Sequence, residues 1–187
     1  MARLSPLQRE ALTADQARLF DEIVGAQDRR GHPSYLAPDG SLEGPFNAML
    51  LSPEIGDAVR RLGAGVRSHS VLSDRCREIA ILTVAAAWDS SFERRVHEQA
   101  GAAAGLSADE MSVLAAGRVP RLDDPVEVAV AETAHVLARH HDLDERQYLG
   151  AIAVLGERQL FELVVLVGYY AQVALQLRVF RVTARSD

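Results

Sequence analysis

The run Leu160 to Leu177, "LFELVVLVGYYAQVALQL", constrains this chain more than any other stretch. It offers apolar side chains on nearly every face of a helix, so it must be enclosed rather than laid on a surface. It is also long enough to approach the length of a bilayer span. Glu162, Gln172, Gln176 and Arg178 lie in or beside it, and they favour a buried helix over a membrane span. A second run, Ile79 to Ala87 ("IAILTVAAA"), has the same character. Two such helices in 187 residues ask for more cover than one subunit's core supplies, which predicts a homo-oligomer.

The rest of the chain is consistent with helices throughout. Apolar residues make up 48% and aromatics only 5%, a balance that favours helix over sheet. No segment sustains the period-2 alternation of a strand. Helix starts are marked by Thr13 with Gln16, Ser52-Pro53, Ser73, Ser90 with Glu93, Ser107 with Glu110, Asp124-Pro125, and Asp144 with Gln147. These place helices over 14–29, 46–51, from 53 onward, 74–88, 91–105, 108–116, 125–141, 144–155 and 157–180. Residues 31–45 are rich in Pro and Gly and read as a long loop. The expectation is an all-α, single-domain bundle of about eight helices over 1–187. Residues 1–41 form an N-terminal helix-and-loop extension and 42–182 the core.

Charge and cysteine content narrow the function. The net charge is −6, and the basic pairs Arg29/Arg30, Arg60/Arg61 and Arg94/Arg95 sit among acids, so no basic stripe is available for nucleic acid. Cys76 is the single cysteine, which rules out an internal disulfide and fits a reducing compartment. The N-terminus "MARLSPLQREALTADQ" lacks the apolar core of a signal peptide. A cytoplasmic protein with no membrane and no nucleic-acid partner is expected.

Three residues stand out as carriers of chemistry. Glu78 leads directly into the apolar run, where it is either paired with a cation such as Arg75, Arg77 or a distant arginine, or raised in pKa by burial. Glu93 and His97 stand at i and i+4 on one helix face, followed by the small residues Gly101 and Ala104. On that helix Phe92, Val96, Ala100 and Ala103 form the stripe expected to face the core. Ser90 and Glu93 are either an S-x-x-E capping box or groups beside the free N–H donors of a helix start, which can hold an anion. From the residues alone, His135, His140, His141, Tyr169, Tyr170 and Cys76 read as structural. No His/Cys cluster has zinc spacing, so no metal is expected.

The text "LSDRCREIAILTVAAAWDSSFERRVHEQAGAAAGLSADEMSVLAAG", residues 72–117, resembles the carboxymuconolactone decarboxylase family, which includes the alkylhydroperoxidase D-like proteins. The shared pattern is an Arg-Glu pair opening an apolar helix, a helix carrying His, small residues, then "GLS" and an acidic turn. The flanks "LEGPFNAMLLSPEIGDAVRRLG" and "ELVVLVGYYAQVALQL" agree, so the resemblance covers about residues 42–182. It implies the alkylhydroperoxidase D-like helical fold and assembly as a trimer or hexamer.

The peroxidase-like branch carries Cys-x-x-Cys before the His, and those two positions hold Ser90 and Glu93 here. Thiol–disulfide chemistry needs both sulfurs, so the resemblance points to the branch without them. In that branch an aromatic-Glu pair precedes the His, as Phe92-Glu93 does. Arg94 stands where the family often has Trp, and Arg178 where Asn is common. The implied activity is cofactor-free acid/base chemistry on a small enolisable carboxylate or lactone, decarboxylation or a related lyase or isomerase reaction. His97, Glu78 and Glu93 are then the expected catalytic groups, with His97 the acid/base, Glu93 orienting it and Glu78 a second acid/base. Trp88, Ser90 and Tyr170 are expected to bind substrate. The alternative is a non-catalytic oligomeric protein that binds a small molecule on the same fold.

Overall fold

A computed structural model describes residues 3–28 and 35–182. The pair Arg29/Arg30 and the start of the Pro/Gly-rich loop lie outside the described residues. Eight α-helices carry the described chain: α1 Ala14–Asp28, α2 Phe46–Met49, α3 Pro53–Ser68, α4 Asp74–Ala87, α5 Ser91–Ala103, α6 Ala108–Ala115, α7 Pro125–His140 and α8 Glu145–Phe180. A short 3₁₀ turn, Arg9–Ala11, precedes them. No strand occurs among the described residues; Leu36 and Leu42 form an isolated antiparallel bridge. The all-α expectation is met.

The helix starts follow the side chains that mark them. Thr13 and Gln16 bond reciprocally at the head of α1, at 3.0 and 3.4 Å. Ser73 Oγ accepts from the Cys76 N–H at the start of α4. Ser107 and Glu110 complete a capping box on α6. Asp124 caps α7 with Pro125 at its first position, where a missing N–H costs nothing. Asp144 and Gln147 exchange bonds of 2.9 and 2.8 Å at the head of α8. The two helices expected over 144–155 and 157–180 are two arms of α8, broken at Gly156 with φ 69° and ψ 170°. Only glycine takes that conformation without strain.

The chain packs as two compact units, residues 1–64 with 176–187, and residues 65–175. In the first, Leu19, Phe20 and Ile23 of α1 close on Leu42, Met49 and Leu50. Asn47 ties the N-terminal segment down, accepting from the Leu7 N–H and donating to the Ser5 carbonyl.

In the second unit α4 lies at the centre, packed against α5, α6 and α7. Every residue from Ile79 to Ala85 is buried, as an all-round apolar helix must be. Leu163, Leu166 and Val173 of α8 are also buried. By length and composition α8 could cross a membrane; half of its most apolar stretch is buried within the protein.

One ion cluster holds this unit's helices in register. Arg75 on α4 reaches Glu127 on α7 at 2.7 Å and Glu110 on α6 at 2.5 Å, and also donates to the Gly105 carbonyl. Both carboxylates are largely shielded. Removing the cation leaves two acids facing each other with no counter-charge. Arg75→Ala is therefore expected to lower stability by about 1–2 kcal/mol, measured by denaturant unfolding. A shift confined to high pH, with none at neutrality, would contradict this role.

Candidate functional site

The site forms because α4 drags Glu78 inward. Glu78 sits one residue before the fully buried stretch, and its side chain is only 12% exposed. The partner it finds is none of the arginines considered from sequence. Arg75 is held by Glu110 and Glu127, and Arg77 bonds Asp74 and the Leu72 carbonyl. Glu78 Oε2 instead lies 2.7 Å from Nδ1 of His97 on α5, itself 13% exposed. With a carboxylate at Nδ1, that nitrogen is the donor, and in the neutral ring the lone pair is then on Nε2. The ring of Tyr170 on α8 meets His97 edge-on, with centroids 5.1 Å apart. Tyr169 meets Tyr170 in the same way.

The face of α5 differs from the sequence expectation. Glu93 and Gly101 are its buried residues, with His97 between them on the same face. Phe92, Val96 and Ala100 are only partly buried and Ala103 is exposed. The reason is steric. A side chain at Gly101 would meet Leu106 at 3.0 Å, with Leu82 and Met111 at 3.5 Å. The tight approach is to the tip of Leu106, between α5 and α6, while Leu82 and Met111 would stand at ordinary contact distance; the glycine eases close packing of the face that carries Glu93 and His97.

Ser90 and Glu93 do not form the expected capping box. Ser90 is the N-cap residue of α5, but its side chain makes no cap bond. Both residues are buried, at 5% and 3% exposure, and Ser90 Oγ and both Glu93 oxygens have no hydrogen-bond partner. Tyr170 OH, on a residue 3% exposed, is likewise unpartnered. Each such group costs roughly 1–3 kcal/mol if nothing ever bonds it. The predicted residues thus fall into two groups: Glu78, His97 and Tyr170 in mutual contact, and Ser90 with Glu93 one turn earlier on α5. Trp88 closes the C-terminal end of α4, half-buried.

Environment sorts the two glutamates. Burial pushes the Glu93 carboxyl up to about 8, with the Ser90 hydroxyl pulling weakly the other way. At neutral pH Glu93 is mainly a carboxylic acid. Burial also holds the Tyr170 phenol well above its usual range, against the pull of Arg67. Arg67, near the end of α3, was not foreseen as part of this environment. It lies far from Tyr170 along the chain and carries no motif. Cys76 is buried with its thiol raised by desolvation, the mark of an inert cysteine. Among the described residues no group of three or more His, Cys, Asp or Glu is placed to hold a metal ion.

Comparison with known proteins follows this geometry. Residues 53–135 match the sequence model of the carboxymuconolactone decarboxylase family, a span that holds Glu78, Ser90, Glu93 and His97. No curated protein matches the sequence significantly. Among solved structures, a peroxidase-related protein with the alkylhydroperoxidase AhpD core from Ralstonia eutropha JMP134 superposes with a TM-score of 0.76 at 13% identity, covering 99% of this chain and 93% of its own. The debrominase Bmp8, in a cysteine-to-alanine form bound to tribromopyrrole, gives 0.73 at 12% identity, covering 100% and 95%. A protein of unknown function from Agrobacterium tumefaciens, whose name links it to the antioxidant-defence protein AhpD, gives 0.68 at 16% identity, covering 78% and 100%. At these identities the likeness is one of fold.

The raised Glu93 carries a stability signature. The folded state holds its proton from about the usual 4.5 up to about 8, while the unfolded chain releases it. Between those values the native state binds more protons, so stability falls as pH rises. The contribution is absent below the unfolded value and constant above the folded one. Glu93→Gln removes it. The variant should match the parent near pH 5 and exceed it by roughly a few kcal/mol near pH 8, as read by denaturant unfolding across that range. Parallel pH profiles for the two proteins would show that Glu93 is not a buried acid.

Proposed function

We propose, for a chain that matches the carboxymuconolactone decarboxylase family over residues 53–135 and has an AhpD-like fold, that it is a cofactor-free acid/base enzyme acting on a small enolisable carboxylate or lactone. The observation that carries the reading is the buried Glu78–His97 contact at 2.7 Å. It fixes the imidazole, sets its tautomer and leaves Nε2 to exchange a proton with a bound molecule. Orientation of a catalytic histidine by a buried carboxylate is a recurrent arrangement.

The chemistry needs no redox group. Loss of carbon dioxide, or of a proton, from a carbon beside a carbonyl leaves an electron pair that the carbonyl accepts. A proton is then returned to carbon. His97 performs that proton transfer. Glu78 orients it and balances the imidazolium that forms. Ser90, Trp88 and Tyr170 bind the substrate around these groups. The roles first expected of the glutamates are exchanged: Glu78 touches the histidine, and Glu93 is the acid altered by burial. The decarboxylase, lyase or isomerase outcome depends on which bond to carbon is broken.

The same reading includes self-association as a trimer or hexamer. Phe161, Val164 and Leu175 stand exposed along α8, apolar surface that a second copy would cover. The protein is read as cytoplasmic.

The test is a panel of keto acids and unsaturated lactones, assayed for carbon dioxide release and for uptake of solvent deuterium at carbon. His97→Ala should lower turnover by at least about 100-fold, and Glu78→Gln should lower kcat more than it raises KM. Turnover of any panel member that is indifferent to His97→Ala would end this assignment. Tight binding without turnover in either assay would favour the non-catalytic binding protein.

A further inference from the structure

Ser90 and Glu93 remain unexplained by a histidine dyad alone. Their oxygens are buried, unpartnered and adjacent to the dyad's helix turn. Glu93 stands four residues before His97, so the two side chains leave α5 on one face about 6 Å apart. A carbonyl oxygen and the carbon beside it are closer together than that, so one small molecule lying between the two side chains can meet both, each across a hydrogen-bond distance. A capping role would explain the pair, but the cap bond is absent. A structural ion pair would explain Glu93, but no cation bonds either of its oxygens.

We propose that Glu93 is a second catalytic acid and that, with Ser90, it receives the carbonyl oxygen of an uncharged ketone, ester or lactone group while His97 faces the adjacent carbon. This deepens the acid/base reading and rests on it. In the forward step the carbon–hydrogen or carbon–carboxylate bond breaks. Its electron pair forms the carbon–carbon double bond, and the carbonyl π pair takes the proton of Glu93. The products are an enol, the Glu93 carboxylate and either protonated His97 or free carbon dioxide. In the return step His97 gives a proton to carbon and the enol proton goes back to Glu93. Decarboxylation consumes one proton from water, taken up at His97; isomerisation consumes none.

The arrangement also sets specificity. A carbonyl oxygen accepts from the Glu93 O–H and the Ser90 hydroxyl with no net charge brought into the buried end. A carboxylate there would face a second carboxyl that loses its proton at higher pH, like charge against like. The carboxylate of a keto acid therefore belongs on the His97 side.

The probe is para-nitrophenol, whose hydroxyl imitates an enol, used with the full chain in mildly acidic buffer, where the phenol and the Glu93 carboxyl both hold their protons. Difference infrared spectra should show a protonated-carboxyl carbonyl band in the parent and in His97→Ala, and none in Glu93→Gln. Para-nitrophenol should shift that band in the parent and bind at least about tenfold more weakly to Glu93→Gln. Ser90→Ala should keep the band and weaken binding by a smaller factor. A band that survives Glu93→Gln, a band that para-nitrophenol does not move, or equal affinity in parent and Glu93→Gln overturns the proposal. Because the band is read without turnover, its loss from the assignment is distinguishable from failure of His97 as the acid/base.

Discussion

The burial of α4 is the constraint from which the rest follows. Seven consecutive residues, Ile79 to Ala85, are out of solvent, and no surface position could satisfy that sequence. A helix so placed has no freedom at its entrance. Glu78 is carried inside with it and must find a bonding partner there. His97 supplies one from α5. Gly101 eases close packing of the face of α5 that carries His97, against the tip of Leu106. The site is thus a consequence of packing: the apolar run fixes Glu78, and the glycine eases the approach of the face of α5 that meets it.

The two glutamates show how placement creates role. Glu78 and Glu93 have the same chemistry in the unfolded chain. One is bonded to an imidazole at 2.7 Å; the other is enclosed with no partner for either oxygen. A bonded carboxylate orients its neighbour, and a desolvated one keeps its proton.

Much of the fold was legible in the sequence, because caps are local. Thr13, Ser73, Ser107, Asp124 and Asp144 each act within three residues of themselves, and each stands where a helix begins. The apolar runs announced burial for the same reason. Less of the site could be read. The stripe Phe92, Val96, Ala100 was the more hydrophobic face of α5, and hydrophobicity alone put it inside. Gly101 is legible as a small residue on the Glu93 and His97 face, but the neighbours it packs against, Leu82, Leu106 and Met111, are supplied only by the fold. The S-x-x-E pattern at Ser90 failed likewise. The same pattern at Ser107 forms its box with Glu110 largely shielded but bonded, whereas the Ser90 N–H that a box needs already donates to the Ala85 carbonyl.

That failure has a chemical consequence. In the resemblance to the thiol-bearing branch, Ser90 and Glu93 occupy the two cysteine positions. A thiol pair there exchanges electrons; a hydroxyl and a carboxylic acid exchange only protons and hydrogen bonds. The neighbouring His97 and Glu78 would suit either chemistry, since both need a group that accepts a proton and a carboxylate that steadies it. On the proposed reading, a hydroxyl and a carboxylic acid at these two positions suit proton transfer where a thiol pair would suit redox exchange. The one remaining sulfur, Cys76, points the same way: it is buried at the entrance of α4, bonded into the cap through its backbone N–H, with a thiol that desolvation makes harder to ionise. Nothing in that environment generates the thiolate that the other chemistry would require.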